Sequence, residues 1–397
     1  MYDLRVHGFM DCSIGEDFTD SEMPTWRNIS KITVKTLQGA AGPGIEHHTR
    51  PLIDSSGNEI LPLYEWGVKL DEGAYGSVYK VVRKLYVKDL MGLYVPDETS
   101  RVNIVVKESP VHLSPEELLL SEPQRNRVIE EDIQTHIHEA TVLAMAFITL
   151  KGTPMEYAIP RVYEVFLHAK VPKPLTFLDI SSVCIAMEYI HGRTMSHFLE
   201  AHFKQSDVPY NDRLFLHFLK QIAALLQILQ TRLRMNHRDI KINNILIRDP
   251  HNPLPKLVLI DYGFACIAKG VHAPDAEMSK IEAGSYFGSR YACFKRGRDI
   301  CQFIYCIHCY FSLEHYLSPE LLVVVRRWMM VAYSGGVANL LFGLNPQGVP
   351  AIRRLARIDF DEGIYLFLRR QEVDPLQCSP DAILADIADF ELTKQPK

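Results

Sequence analysis

The chain has 397 residues, of which 47% are apolar and 23% charged, the balance of an ordinary soluble globular protein with room for two or three cores. A formal net charge of −5 argues against a general nucleic-acid binder, whose affinity would rest on many Lys and Arg contacts to phosphate. The eight cysteines are scattered rather than set out as a disulfide framework.

Residues 1–60 carry turn signals at Gly39, Gly42-Pro43-Gly44 and Ser55-Ser56-Gly57 and no sustained period, and read as a partly ordered N-terminal extension. The start Met1-Tyr2-Asp3-Leu4 lacks a secretory pattern and has no glycine at position 2 for myristoylation. From Leu61 onward, strands are expected at 64–70, 77–82 and 102–107, with 84–101 as an insertion. Ser114-Pro115-Glu116-Glu117 has the form of a helix start, and a longer amphipathic helix follows Pro123 through about Phe147. Strands return at 161–166 and 183–189. Beyond Gly192 the texture is helical, with a strongly apolar helix over 212–233 and further helices at 299–333 and 350–370. Strands first and helices afterwards give an α+β arrangement.

Cys306-Ile307-His308-Cys309, with Cys301 one turn earlier, is the nearest approach to a metal motif. No second ligand pair accompanies it, so these cysteines are expected to pack as small buried side chains. The apolar stretch 321–333 is too short to span a bilayer and is broken by Arg326-Arg327. The expectation is a soluble, intracellular, cytoplasmic protein with neither membrane nor specific nucleic-acid partner; oligomeric state is not legible.

Four short motifs then occur in order. The first is a glycine-containing turn, Asp71-Glu72-Gly73-Ala74-Tyr75-Gly76-Ser77-Val78. The second is an apolar strand closed by a lysine, Ile104-Val105-Val106-Lys107. The third is His237-Arg238-Asp239-Ile240-Lys241-Ile242-Asn243-Asn244, lying between the 212–233 helix and the strand-like Ile245-Leu246-Ile247. The fourth is Leu257-Val258-Leu259-Ile260-Asp261-Tyr262-Gly263, an aspartate after a short buried strand.

Together these motifs resemble the eukaryotic-type serine/threonine protein kinase family over residues 61–310. The resemblance implies a two-lobed kinase-like fold: a small β-rich N-lobe with one main helix and the hinge at 61–190, and a larger helical C-lobe at 191–397. It implies ATP and Mg²⁺ as nucleotide and metal, protein substrates, and transfer of the γ-phosphoryl group to protein hydroxyls. Gly73 and Gly76 match two glycines of the phosphate-covering hairpin, Asp71 replaces the first, and Val78 matches the apolar residue over adenine. Lys107 matches the lysine on the α- and β-phosphates, with Glu139 its partner and Glu130 and Glu131 as rivals. Met187 stands at the gatekeeper position, with the backbones of Glu188 and Ile190 on the adenine edge and Leu246 as its floor. Asp239 matches the residue that takes the hydroxyl proton, Lys241 the γ-phosphate lysine that points to serine/threonine substrates, and Asn244 and Asp261 the metal ligands.

The sequence departs from the family where its Ala-Pro-Glu motif is missing, near 284–293. Arg298-Asp299-Ile300 then resembles the start of the helix whose aspartate holds the catalytic-loop backbone. An insertion-rich small lobe, Asp-Tyr-Gly-Phe and no Ala-Pro-Glu resemble kinases of large DNA viruses, which places the protein in host cytoplasm or virion. A phosphate-activated segment using Ser279, Ser285, Tyr286 or Ser289 with Arg238, Lys280 or Arg290 stands beside constitutive activity. Two further readings remain: a pseudokinase scaffold, and a kinase-like small-molecule phosphotransferase.

Overall fold

In the computed structural model the described residues are 2–5, 47–48, 52–53, 59–60, 64–73, 76–88, 94–170, 176–252, 255–267, 294–332 and 376–393. They divide into two units, Met1–Ile148 with Pro160–Tyr189, and Thr149–Ile159 with Ile190–Lys397.

Runs of β-branched and aromatic residues make the first unit a sheet. Its strands are β1 (Tyr2–Arg5), β2 (His47–His48), β5 (Tyr64–Gly73), β6 (Gly76–Lys88), β7 (Tyr94–Pro110), β8 (Val162–Ala169) and β9 (Ile180–Glu188), in the order β2-β1-β8-β9-β7-β6-β5. β3 (Leu52–Ile53) and β4 (Glu59–Ile60) pair with each other. Residues 1–60 thus supply strands: Tyr2 lies opposite Ala169 and Arg5 opposite Phe166. A four-residue strand carries too little alternation to be read from sequence, and the open edge of β8 recruits it through backbone hydrogen bonds. The 84–101 insertion lengthens its neighbours, because pairing resumes after an irregularity at Arg83 and runs from Leu85 opposite Asp97 to Lys88 opposite Tyr94.

Alternation along the strands places Val81, Ile104, Val106, Phe166, Cys184 and Ala186 in one cluster, with Trp66 and Tyr79 against it. The helix α1 (Glu122–Leu150) buries Ile129, Ile133, Ile137, Ala140 and Ala144, a stripe at three- and four-residue spacing. The start expected at Ser114 yields only the 3₁₀ turn Glu117–Leu119. Its capping box is formed, with the Ser114 N–H donating to Glu117 Oε2 (2.7 Å) and the Glu117 N–H to Ser114 Oγ (3.3 Å). Leu120 then turns extended and ends it.

The second unit is mainly helical. Asp207 caps α3 (Val208–Leu233) by accepting from the Tyr210 N–H, Pro209 stands in its first turn, and Arg234 in the left-handed region closes it. α3 is long and apolar enough to cross a bilayer, yet 67% of its apolar window is buried inside the fold. Before it lie β10 (Gly192–Thr194) and α2 (Met195–His202). After it come β11 (Met235–Asn236), β12 (Ile245–Arg248), β13 (Lys256–Leu259) and β14 (Cys266–Ile267), forming a β10-β12-β13 sheet and a β11–β14 pair. The helical region expected at 299–333 is two helices, α4 (Arg298–Phe311) and α5 (Pro319–Ala332), parted where Ser312 takes φ 51°. A further helix, α6 (Pro380–Thr393), was not anticipated. The helix expected at 350–370 and the 279–293 segment with its candidate phosphorylation sites lie outside the described residues.

Cys301 and Cys306 are buried, and burial pushes the Cys309 thiol up to about 12. Cys266 is disulfide-bonded, a pairing to which the scattered spacing gave no clue.

Candidate active site

One face of α4 holds much of the backbone of the loop Asn236–Asn244. Asp299, fully buried, accepts from Asn236 Nδ2 (3.0 Å), the His237 N–H (2.9 Å) and the Arg238 N–H (3.0 Å). One turn on, Gln302 accepts from the Ile240 N–H (3.2 Å) and donates to the Arg238 carbonyl (3.2 Å). A further turn on, Cys306 Sγ accepts from the Ile242 N–H (3.4 Å). Positions 299, 302 and 306 share a helix face, so a single rigid element satisfies four backbone amides that would otherwise be buried without partners. Gln302 and Cys306 went unrecognised as loop supports in the sequence, although the three- and four-residue spacing from Asp299 was there to be read.

Within the loop, Arg238 is forced to φ 68°, a region costly for a side chain of this size and sustained here by the Asp299 and Gln302 bonds. His237 is fully buried, which pushes its imidazole below the usual range. Its Nε2 lies 3.2 Å from the Ile260 carbonyl, and its ring meets Tyr262 edge-on at 4.7 Å. Asp239 is 6% exposed, and its Oδ2 accepts from Asn244 Nδ2 (2.8 Å) and lies 3.3 Å from Lys241 Nζ. Asn244 Nδ2 also donates to the Asp239 carbonyl (3.0 Å), and the Ile260 N–H donates to the Asn244 carbonyl. Asp239, Lys241 and Asn244 are therefore one locked cluster, tied through Ile260 to Asp261, itself at φ 65°. Leu246 lies in β12 opposite Val258, half-buried on the face opposite Ile245 and Ile247.

The first unit carries the other expected residues except Ile190. Lys107 Nζ bonds Glu139 Oε1 at 2.6 Å, with Glu139 only 5% exposed. Of the rivals, Glu131 pairs with Arg127 on an exposed part of α1. Gly73 lies opposite Gly76 where β5 turns into β6. Gly76 has φ 144°, and a Cβ there would meet the Glu108 carbonyl oxygen at 2.2 Å, so no other residue fits. Asp71 is exposed and accepts from the Glu72 N–H (2.8 Å). Val78 is half-buried opposite Lys107, and Val105 lies opposite Met187. The Glu188 N–H donates to the Arg161 carbonyl (2.8 Å), so a nucleotide contact from Glu188 falls to its carbonyl. Ile190 is buried, 5% exposed, at the start of the second unit.

Residues 157–287 match the family model for the protein kinase domain. The match spans roughly a third of the chain, takes in the Asp239 loop and Asp261, and supports a protein-kinase-family member with a kinase-type phosphotransfer activity. The fold is accordingly kinase-like α+β, β-rich in its N-terminal part and helical in its C-terminal part. The Lys107–Glu139 pair precedes the matched kinase segment and Asp299 follows it.

Such a domain implies ATP and a divalent cation. Asn244 turns its Nδ2 onto Asp239 through two hydrogen bonds, which leaves its amide oxygen as the ligand atom. With the Asp261 carboxylate this makes a set of hard oxygen donors, which fits Mg²⁺.

Proposed function

We propose that the protein is an ATP-dependent serine/threonine protein kinase that transfers the γ-phosphoryl group of Mg-ATP to protein hydroxyls. The observation that carries this reading is the locked Asp239–Lys241–Asn244 cluster with the separate Lys107–Glu139 ion pair. In this mechanism Asp239 accepts the hydrogen bond of the substrate hydroxyl and takes its proton as the bond to the γ-phosphorus forms and the bond from that phosphorus to the departing ADP oxygen breaks. Lys241, set beside that carboxylate, offsets charge on the γ-phosphate and favours aliphatic hydroxyls. Lys107, fixed by Glu139, holds the α- and β-phosphates, under the Gly73–Gly76 hairpin and Val78. The carbonyl of Glu188, the backbone of Ile190 and the side chain of Leu246 receive the adenine. Asn244 and Asp261 hold Mg²⁺, which when bound neutralises the phosphates and orients them. Much of the phosphoryl-transfer barrier is lowered by such fixed charges, so their rigidity is the argument for catalysis over a pseudokinase scaffold. A likeness to kinases of large DNA viruses belongs to this proposal too, on the insertion-rich small lobe, Asp261-Tyr262-Gly263-Phe264 and the missing Ala-Pro-Glu.

The test is a phosphotransfer assay with labelled ATP, Mg²⁺ and generic protein acceptors. Asp239→Asn and Lys107→Met should each lower the rate by about 10²–10³. Equal labelling by wild type and both variants would sink the assignment, and nucleotide binding without transfer would favour a pseudokinase. Phosphotyrosine as the sole product would overturn the serine/threonine assignment.

A further inference from the structure

In the first unit, three adjacent strands bring a carboxylate, an imidazole and a thiol to one point. Glu108 lies on β7, His168 on β8 and Cys184 on β9, in a register that sets Glu108 opposite Cys184 and His168 opposite Ser182. His168 Nδ1 is 2.9 Å from Glu108 Oε1 and 3.7 Å from Cys184 Sγ. All three ligand-type atoms fall within 4.8 Å of one another. Ser182 Oγ adds a fourth polar atom, 2.8 Å from Glu108 Oε1 and 3.2 Å from His168 Nδ1.

We propose that Glu108, His168 and Cys184 form a zinc-class divalent-metal site that cross-links β7, β8 and β9. With bonds of about 2.0 Å to nitrogen or oxygen and 2.3 Å to sulfur, a tetrahedral ion separates an N/S ligand pair by about 3.6 Å and an N/O pair by about 3.3 Å. Cys184 Sγ lies 3.7 Å from Nδ1 and 3.8 Å from Nε2 of His168, so rotation of the thiol brings it onto an ion held by Nδ1, and a small rotation of the Glu108 carboxylate meets the second value. One oxygen, one nitrogen and one sulfur are a donor set suited to Zn²⁺ rather than to Mg²⁺ or Ca²⁺. The Trp66 and Phe166 rings flank His168 at 5.6 and 5.5 Å, and Cys184 is wholly buried. Glu108, with 22% of its side chain exposed, gives the ion a route in. Binding takes His168 as the neutral tautomer with its proton on Nε2 and displaces the thiol proton of Cys184 to solvent, so affinity rises with pH. Ser182 Oγ or a water completes four-fold coordination. Lys107 precedes Glu108 on the same strand, so the cross-link stiffens the strand that carries it without drawing on the phosphotransfer residues.

The test is a Co²⁺ titration, followed by Zn²⁺, of the full-length protein stripped with chelator under reducing conditions. One equivalent of cobalt should give thiolate charge-transfer absorption and tetrahedral visible bands, both erased by zinc. Cys184→Ser should abolish the charge transfer, Glu108→Gln should weaken binding by about tenfold or more, and Cys309→Ser should change neither. Saturating zinc should raise the melting temperature of the wild type by about 5 °C or more. A missing charge-transfer band, or an unchanged one in Cys184→Ser, overturns the site. Should Cys184→Ser fail to fold, an unaltered cobalt affinity in Glu108→Gln or a zinc-independent wild-type melting temperature overturns it equally.

Discussion

Tyr262 stands where the kinase pattern has phenylalanine, and its two ends behave differently. The ring packs edge-on against His237, whereas the buried hydroxyl has no hydrogen-bond partner among the described residues. Burial also drives its pKa well above the usual range, so the hydroxyl stays protonated. An unsatisfied buried hydroxyl costs on the order of 1–3 kcal/mol, so Tyr262→Phe should match or exceed wild-type stability in a denaturant melt. The side-chain pair Asp132 and His136 on α1 gives a second prediction at this scale. Burial, helped by the Lys107 charge, pushes His136 from 6.5 down to about 4, while burial raises Asp132 to about 6 against the pull of His112 and with the push of Glu117. As pH falls from 6.5 to 4 the unfolded chain protonates its histidine first, which destabilises the fold. Between 6 and 4 the folded state protonates Asp132 before the unfolded chain does, which stabilises it. The two effects oppose each other. Asp132→Asn removes the second, so its melting temperature should fall more steeply over pH 6.5 to 4 than that of the wild type.

At the scale of elements, α4 and the β5–β6 hairpin bear on the candidate site. Asp299→Ala would strand three donors in a site with no exposure to water, at a cost of about 3 kcal/mol or more. Chemical denaturation should register that loss, and the phosphotransfer rate should fall with it because Arg238 at φ 68° loses its restraint. Gly76→Ala tests the hairpin: a methyl group 2.2 Å from the Glu108 carbonyl oxygen forces β6 from β7. The expected result is weaker nucleotide binding, read by calorimetry, with a lower melting temperature. Much at this scale was legible. The long apolar helix and the three N-terminal strands follow from periodicity, and the Asp299 support from the resemblance to the kinase family. Strand lengths were not, because pairing beyond Arg83 is decided by the partner strand rather than by local alternation.

For the second unit as a whole, α6 is the element that closes the helical packing. Lys220 bonds Glu391 (2.6 Å), Arg296 pairs with Asp381, and Trp328 Nε1 donates to Asp386 (2.7 Å). The surface pairs contribute little singly, whereas Trp328 is 1% exposed and its N–H needs that acceptor. Trp328→Phe should therefore cost about 1–2 kcal/mol or more in a melt, and Lys220→Ala less than about 1 kcal/mol.

The sequence by itself determined the order of the chemical groups: glycine turn, lysine, aspartate loop, second aspartate. Those depend on local spacing, which a linear chain carries in full. The sequence preferred Glu139 as the partner of Lys107, and tertiary structure shows that pair formed, since Glu130, Glu131 and Glu139 are chemically alike and differ in the face of α1 they occupy. Tertiary structure alone decided that Gln302 and Cys306 serve the loop beside Asp299, and that Glu108, His168 and Cys184 meet at all. Their convergence depends on strand register, which is set by pairing between segments far apart in the chain.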